Sequence, residues 1–273
     1  MRRCRPAYSH FLAGRGTPSN RLVSDLPEPI PAATLVLMRP APKGPPEILI
    51  MERTGNMAFA AGALVFPGGR IDPQDHQTAA LLGGGEDAAA KVAAIRETIE
   101  ETGLVPGVVP SASRETARTL RSRIGAGEPL PASLAARGLA LDLGSLTPFA
   151  RWCPNFRETR RFDTLFFLAE APADAPEPVV APGEGARAFW ATAAAVIAEV
   201  DAGRVHVIFP TRRNLERLAR FGSIEEARAD AARHPVRKIT PWVEERDGRK
   251  FVVIPDDAGY PVTSEPFDTA RRR

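Results

Sequence analysis

Three glutamates in one short segment have the types and the spacing to do chemistry together. The segment Arg96–Leu104 reads RETIEETGL and contains Glu97, Glu100 and Glu101. If residues 87–102 form a helix, a rotation of about 100° per residue places the three carboxylates on one face. The segment therefore predicts a helix that presents a cluster of negative charge.

The opposite face of the same predicted helix is apolar. Ala88, Val92, Ile95 and Ile99 recur at helical spacing on that side, which is the pattern of a helix that packs one face against a core. Gly103 follows the last turn, where glycine commonly ends a helix. The sequence therefore predicts that the core holds the helix and leaves its acidic face toward a site.

Carboxylates at this spacing repel one another, and a surface helix usually interleaves them with basic residues. Arg96 is the nearby base and lies four residues before Glu100, but one arginine cannot neutralise three acids. Mg²⁺ binds oxygen ligands and commonly joins carboxylates to substrate phosphates. Such a pattern alone is also typical of a solvated acidic face; the turn Phe66–Gly69, reading FPGG after an apolar strand, favours the metal site.

The combination of turn and helix resembles the signature of the Nudix hydrolases, G-x5-E-x7-R-E-U-x-E-E-x-G-U, in which U is an aliphatic residue. The FPGG turn precedes the helix as it does in that family. The residues that match the second half of the signature are Arg96, Glu97, Glu100, Glu101, Gly103 and Leu104.

The chain departs from the signature in three ways. Residues 72–86 look like an insertion between Gly69 and Arg96, Ala88 stands in the register of the first signature glutamate, and Thr98 replaces an aliphatic residue. The lengthened form resembles the branch of the family that includes the coenzyme A diphosphatases.

The insertion contains further polar residues, and two interpretations of them are open. Asp72, Asp75 and His76 could bind a metal ion. Pro73 and the run Gly83–Gly85 instead favour an exposed loop. The composition makes the loop the expected structure.

The resemblance implies one α/β domain of Nudix type, an α/β/α sandwich with a mixed β-sheet, a helical insertion and a C-terminal helical extension. It also implies that Glu97, Glu100 and Glu101 bind Mg²⁺ or Mn²⁺ together with the backbone at Gly69. Arg96 would orient the carboxylates, and Glu97 would act as a ligand or as the catalytic base.

A second candidate for the base is Glu184, which precedes an edge strand where several relatives carry a further acid. Glu184 also lies in an acidic, proline-rich connector, so a surface role is the alternative. Glu158 is a weaker candidate of the same kind.

Arginines and one tryptophan are candidates for binding the substrate. Arg53, Arg70 and Arg161 could contact phosphates, because the guanidinium group matches the geometry of phosphate oxygens. Trp152 could stack on an adenine, although a tryptophan at a strand end is more often a core residue.

The expected reaction is hydrolysis of the diphosphate bond of a nucleoside diphosphate linked to another moiety. Coenzyme A or acyl-coenzyme A is the leading substrate, cleaved to 3′,5′-ADP and a phosphopantetheine. ADP-ribose, NADH or a dinucleoside polyphosphate would fit the same carboxylates, and a non-catalytic Nudix-fold ligand sensor is the alternative from another class. Whether the chain forms a homodimer is left open.

Composition supports a globular protein and argues against several other classes. The 273 residues are 44% hydrophobic, and no apolar run reaches the length of about 18 residues that a membrane span needs. The net charge is +3 with scattered basic residues, so we expect no nucleic-acid partner and no membrane partner. Cys4 and Cys153 are too few for a disulfide framework, which favours the cytoplasm. No pattern of a serine or cysteine nucleophile is present.

The chain divides into three predicted regions: a flexible N-terminal arm at 1–30, the Nudix domain at 31–260 and a C-terminal tail at 261–273. Alternating and continuous apolar runs predict strands, and patterns of helical period predict helices. The predicted strands are 33–38, 47–51, 63–66, 146–152, 161–169 and 186–191. The predicted helices are 111–124, 192–202, 211–220 and 224–233. Residues 130–141 are predicted as a short helical or turn segment, and a hairpin is predicted around Asp247-Gly248.

Overall fold

A computed structural model describes residues 27–272, apart from 55–61, 86, 156–160, 182 and 184. In chain order its elements are β1 (Ile30–Arg39), β2 (Glu47–Glu52), β3 (Leu64–Val65), β4 (Gly68–Arg70), α1 (Pro73–Leu81), α2 (Ala88–Thr102), β5 (Val108–Val109), α3 (Arg114–Gly125), α4 (Leu130–Ala135), β6 (Ala140–Leu141), a 3-10 helix (Leu143–Ser145), β7 (Thr147–Trp152), β8 (Phe162–Glu170), β9 (Arg187–Thr192), α5 (Ala193–Asp201), α6 (Phe209–Leu218), α7 (Ile224–Arg233), β10 (Lys238–Ile239), β11 (Trp242–Arg246), β12 (Arg249–Val253), β13 (Ser264–Pro266) and α8 (Phe267–Arg272).

The main sheet mixes parallel and antiparallel strands. In the part of the chain that the structure describes, its strand order is β10-β7-β8-β1-β2-β3, with β4 paired to β1 and β9 paired to β2. β1 and β8 run parallel, whereas β1 pairs antiparallel with β2 and β7 pairs antiparallel with β8. The predicted mixed sheet is confirmed.

Helices cover both faces of this sheet. Side chains of a strand alternate between the two faces, so apolar residues on each face need a layer of helices to bury them. Leu35 and Leu37 of β1 join the core shared with α2, α3 and α4, while Val36 and Met38 join the core shared with α5, α6 and α7. This confirms the α/β/α sandwich, its helical insertion and its C-terminal helical extension. No helix within the described ranges is long and apolar enough to cross a membrane.

A small second sheet is built from the C-terminal part of the chain. β11 and β12 form the predicted hairpin, with Arg246 opposite Arg249. Asp247 (φ 50°) and Gly248 (φ 73°) form its turn, and two successive residues with positive φ suit a two-residue hairpin. β13 pairs with β12, and Phe267 of α8 packs on the main core, so strand and helix occupy part of the region that we assigned to a tail.

The segment after β4 is a helix rather than the predicted loop. α1 begins at Pro73, and the backbone N–H of Asp72 donates to Oδ2 of Asp75 at 2.8 Å. Proline is well tolerated in the first turn of a helix, because the N–H that it lacks would have no partner there. The loop prediction for 72–86 was therefore wrong over residues 73–81, and α1 packs beside α2.

Candidate active site

The acidic helix forms as predicted. α2 buries Val92, Ile95 and Ile99 completely, each with 0% of its surface exposed. Its last turn ends at Gly103, whose φ of 72° is in the left-handed region and whose N–H donates to the carbonyl of Ile99 at 2.9 Å. The helix is thus fixed on the sheet by its apolar face.

The glycine turn lies directly against the acids of α2. The backbone N–H of Gly68 donates to Oε2 of Glu101 at 2.9 Å. A Cβ atom at Gly69 would lie 2.3 Å from Oε1 of Glu97, so a side chain at this position would displace the carboxylate from its present place. The turn and the helix together bring Gly69, Glu97 and Glu101 to one place.

Arg96 forms hydrogen bonds both to the acids of its own helix and to the strand that follows the glycine turn. Its Nη1 donates to Oε1 of Glu97 and to Oε2 of Glu100, each at 3.0 Å. Its Nη2 donates to the backbone carbonyl of Arg70 at 3.0 Å. The predicted orienting role of Arg96 agrees with these contacts.

Asp75 contacts Arg96 at the site, which the favoured prediction of an exposed loop did not anticipate. Its side chain receives two hydrogen bonds from Arg96, Nε to Oδ1 at 3.0 Å and Nη2 to Oδ2 at 2.9 Å. Asp75 is only 1% exposed. The exposed turn favoured for Asp75 is therefore wrong, because α1 turns this acid inward. The signal available in the sequence was Asp72-Pro73, a pair that can start a helix and place an acid at its third position.

Burial controls the charge of the site. Burial raises the pKa of Glu97 to about 7; the guanidinium of Arg96 opposes this rise, and the neighbouring charge of Glu100 adds to it. Burial also raises the pKa of Glu100. For Arg96, burial acts to lower the pKa, but the hydrogen bond with Asp75 and the surrounding carboxylates raise it overall. The site keeps a fixed positive charge among acids that are costly to ionise.

The acids have the chemistry of a cation site, although their side chains do not converge as one. Across the described residues, no group of three or more His, Cys, Asp or Glu side chains lies close enough to hold a metal ion. Arg96 draws Glu97 and Glu100 toward itself through one oxygen of each, and Gly68 draws Glu101 toward the turn. Carboxylate oxygens beside a glycine backbone are the donor set that a hard divalent cation takes, so the residues fit such an ion.

The three predicted substrate arginines lie at the same end of the main sheet as the acids. Arg70 in β4 pairs with Ala32 near the start of β1, and the carbonyl of Arg161 accepts from the N–H of Ile30 at 2.8 Å. Arg53 follows the end of β2, which runs antiparallel to β1 and therefore ends on this side. Nε of Arg161 donates to the carbonyl of Pro154. Their contact with phosphate stays a prediction.

Trp152 belongs to the core and not to the site. It is 1% exposed, and its indole Nε1 donates to the hydroxyl of Tyr260 at 2.9 Å. Its predicted stacking on an adenine needs an open ring face, so the structure corrects this assignment in favour of the core. Glu184 and Glu158 lie outside the described residues, and their roles stay predictions.

Comparison with known proteins identifies related structures. No family model matches the chain. The crystal structure of a Nudix hydrolase from Alicyclobacillus acidocaldarius is 30% identical, covers 74% of this chain and 96% of its own, and superposes with a TM-score of 0.65. Two weaker likenesses are the Nudix domain of Shewanella oneidensis NrtR crystallised with ADP-ribose (15% identity, 72% and 90% coverage, TM-score 0.41) and a MutT protein from Methanosarcina mazei Go1 (18%, 72% and 97%, 0.38).

We expect Asp75→Asn to impair turnover while the protein stays folded. The substitution keeps the shape of the side chain but replaces an oxygen that accepts from Arg96 with an amide nitrogen that donates. Arg96 then loses a charged, two-pronged partner, and loss of such an outer partner commonly costs about ten- to a hundredfold in activity. Steady-state kinetics and thermal melting measure the two effects separately.

Asp72→Asn is the matched control. Asp72 lies 3.8 Å from Arg96 with a side chain that is 46% exposed, and asparagine caps a helix as well as aspartate does. Equal activity of the Asp75→Asn variant and the wild type would contradict the role assigned to Asp75.

Proposed function

Because the chain belongs to the Nudix hydrolase family, and is a pyrophosphohydrolase of that type, we propose that it cleaves the diphosphate bond of coenzyme A or acyl-coenzyme A with Mg²⁺ or Mn²⁺. The observation that carries the proposal is the placement of Glu97 and Glu101 against the glycine turn, with Arg96 joining Glu97 to Glu100. The products would be 3′,5′-ADP and a phosphopantetheine, acylated when the substrate is.

In this proposal Glu97, Glu100 and Glu101 hold the cation, together with the backbone at Gly69. A bound divalent cation would neutralise charge on the diphosphate oxygens and lower the pKa of a bound water. A bound dication would favour the ionised form of Glu97 and so offset the burial that raises its pKa. Arg96 would keep the carboxylates apart and in place.

The reaction requires a water, a base and a leaving group. The oxygen of the water forms a bond to one phosphorus while the bridging P–O bond breaks, and the electron pair of that bond stays on the departing phosphate. The base accepts the proton of the water. The cation and the arginines at this end of the sheet would stabilise the charge that develops on both phosphates.

Glu184 is our proposed base, and the neighbouring backbone supports this choice. The N–H of Ala181 donates to the carbonyl of Glu101 at 3.1 Å, and the N–H of Ala186 donates to the carbonyl of Glu52 at 2.7 Å. The chain on both sides of Glu184 is therefore tied to the acidic helix and to the end of β2. Glu97 is the alternative base, since burial raises its pKa to about 7.

The choice of coenzyme A rests on the lengthened segment between Gly69 and Arg96, which resembles the coenzyme A diphosphatase branch. This is an argument by analogy. ADP-ribose and NADH carry the same diphosphate group and are the competing substrates.

The substrate assignment predicts the order of turnover in a panel. We expect coenzyme A and acyl-coenzyme A to give a higher kcat/KM than ADP-ribose, NADH or a dinucleoside polyphosphate, in Mg²⁺ and in Mn²⁺. Chromatography of the products would resolve 3′,5′-ADP from AMP. Faster cleavage of ADP-ribose or NADH would reject coenzyme A but keep the diphosphatase. Binding of every compound without cleavage would contradict the enzyme.

For the base, we expect Glu184→Gln to lower kcat by about a hundredfold or more, because general-base catalysis commonly contributes that much. Glu177→Gln in the same connector is the control, since the side chain of Glu177 is 80% exposed. Glu158→Gln tests the weaker candidate in parallel. A full loss in Glu158→Gln with no loss in Glu184→Gln would transfer the role to Glu158.

A further inference from the structure

Helix α3 places one charged residue, Arg121, at the C-terminal end of the acidic helix α2. Ala117, Leu120 and Ile124 of α3 are buried in the core that α2 shares. Arg121 lies beside this apolar stripe and extends toward the last turn of α2. The pattern at 111–124 predicts this helix but no contact of Arg121, so the contacts of Arg121 are a new observation.

Arg121 donates to two carbonyls in the last turn of α2. Its Nε donates to the carbonyl of Glu100 at 3.0 Å, and its Nη2 donates to the carbonyl of Glu101 at 3.2 Å. Its Nη1 would lie 3.4 Å from a Cβ atom at Gly103, so the glycine leaves room for the guanidinium. Arg121 thus binds the backbone, and not the side chains, of two proposed metal ligands.

The connector before β9 also donates hydrogen bonds to the C-terminal end of α2. The N–H of Val179 donates to the carbonyl of Thr102 at 2.9 Å, and the N–H of Ala181 donates to that of Glu101 at 3.1 Å. The last four carbonyls of a helix lack partners within the helix. In α2 each of these carbonyls, from Ile99 to Thr102, receives a donor from Gly103, Arg121 or the connector.

The electrostatics of this turn give the contact a consequence for the site. The C-terminal end of a helix carries a partial negative charge, which adds to the repulsion between nearby acids. A guanidinium at that end opposes the repulsion and fixes the carbonyls. Without it, the carbonyl of Glu100 would lose the donor that Arg121 provides, and the carbonyl of Glu101 would keep the N–H of Ala181.

We propose that Arg121, on helix α3, is a positioning residue of the hydrolase. It holds the backbone of Glu100 and Glu101 in the place that cation binding requires. The inference rests on the proposed function, because Glu100 and Glu101 are its proposed ligands. It gives helix α3 a part in catalysis without contact between Arg121 and the substrate.

The test compares Arg121→Gln and Arg121→Lys with Arg118→Gln, an exposed arginine on the same helix. Titration calorimetry with Mn²⁺ alone measures the cation affinity, and kinetics with the diphosphate that the wild type cleaves best measure kcat and KM. For Arg121→Gln we expect the Mn²⁺ dissociation constant to rise by about ten- to a hundredfold. We expect kcat to fall at unchanged KM, a smaller effect in Arg121→Lys, and no effect in Arg118→Gln.

Thermal melting of each variant separates positioning from folding. If Arg121→Gln and Arg121→Lys melt at a lower temperature but keep wild-type Mn²⁺ affinity and kcat below it, the inference is wrong and the proposed function stands. If Arg121→Gln does not fold, Arg121→Lys decides by the same criteria. If the wild type binds no Mn²⁺, the proposed cation site fails, and the inference fails with it.

Discussion

The site depends on the way Arg96 compensates carboxylates that the fold has partly buried. Its guanidinium donates to Asp75, Glu97 and Glu100 and to the carbonyl of Arg70, so one cation connects α1, α2 and β4. Acids placed this closely, and shielded from water, are costly to ionise. The hydrogen bonds and the positive charge of Arg96 offset part of this cost. One arginine does not neutralise all of the acids, so negative charge is left for a divalent cation to neutralise.

The neighbouring elements each remove a different freedom from this cluster. The glycine turn approaches so closely that a Cβ atom at Gly68 would lie 2.4 Å from the carbonyl of Ala33, and its N–H holds Glu101. The apolar face of α2 fixes the rotation of the helix, and Arg121 fixes its last turn. The backbone that carries the acids is therefore held by contacts from several separate segments, which limits the rearrangement that binding of a charged ligand requires.

Local patterns predicted the features of the fold and of the site that lie within one element or one tight turn. The period of α2, its end at Gly103 and the Asp247-Gly248 hairpin follow from short-range sequence and are confirmed. Asp75 could not be found this way, because its partner Arg96 lies 21 residues away and only the packing of α1 on α2 brings them together. Trp152 shows the same limit, since it packs against Phe209 and Tyr260, and Tyr260 lies 108 residues further along the chain.

The central claim is that the acids of α2 hold a divalent cation beside the diphosphate. The most direct measurement is turnover by Glu100→Gln and Glu101→Gln variants whose melting curves show that they are folded. Loss of a ligand should remove several kcal/mol of transition-state stabilisation, so the account predicts a fall in kcat of about a hundredfold or more in each variant. Undiminished turnover in both folded variants would contradict it.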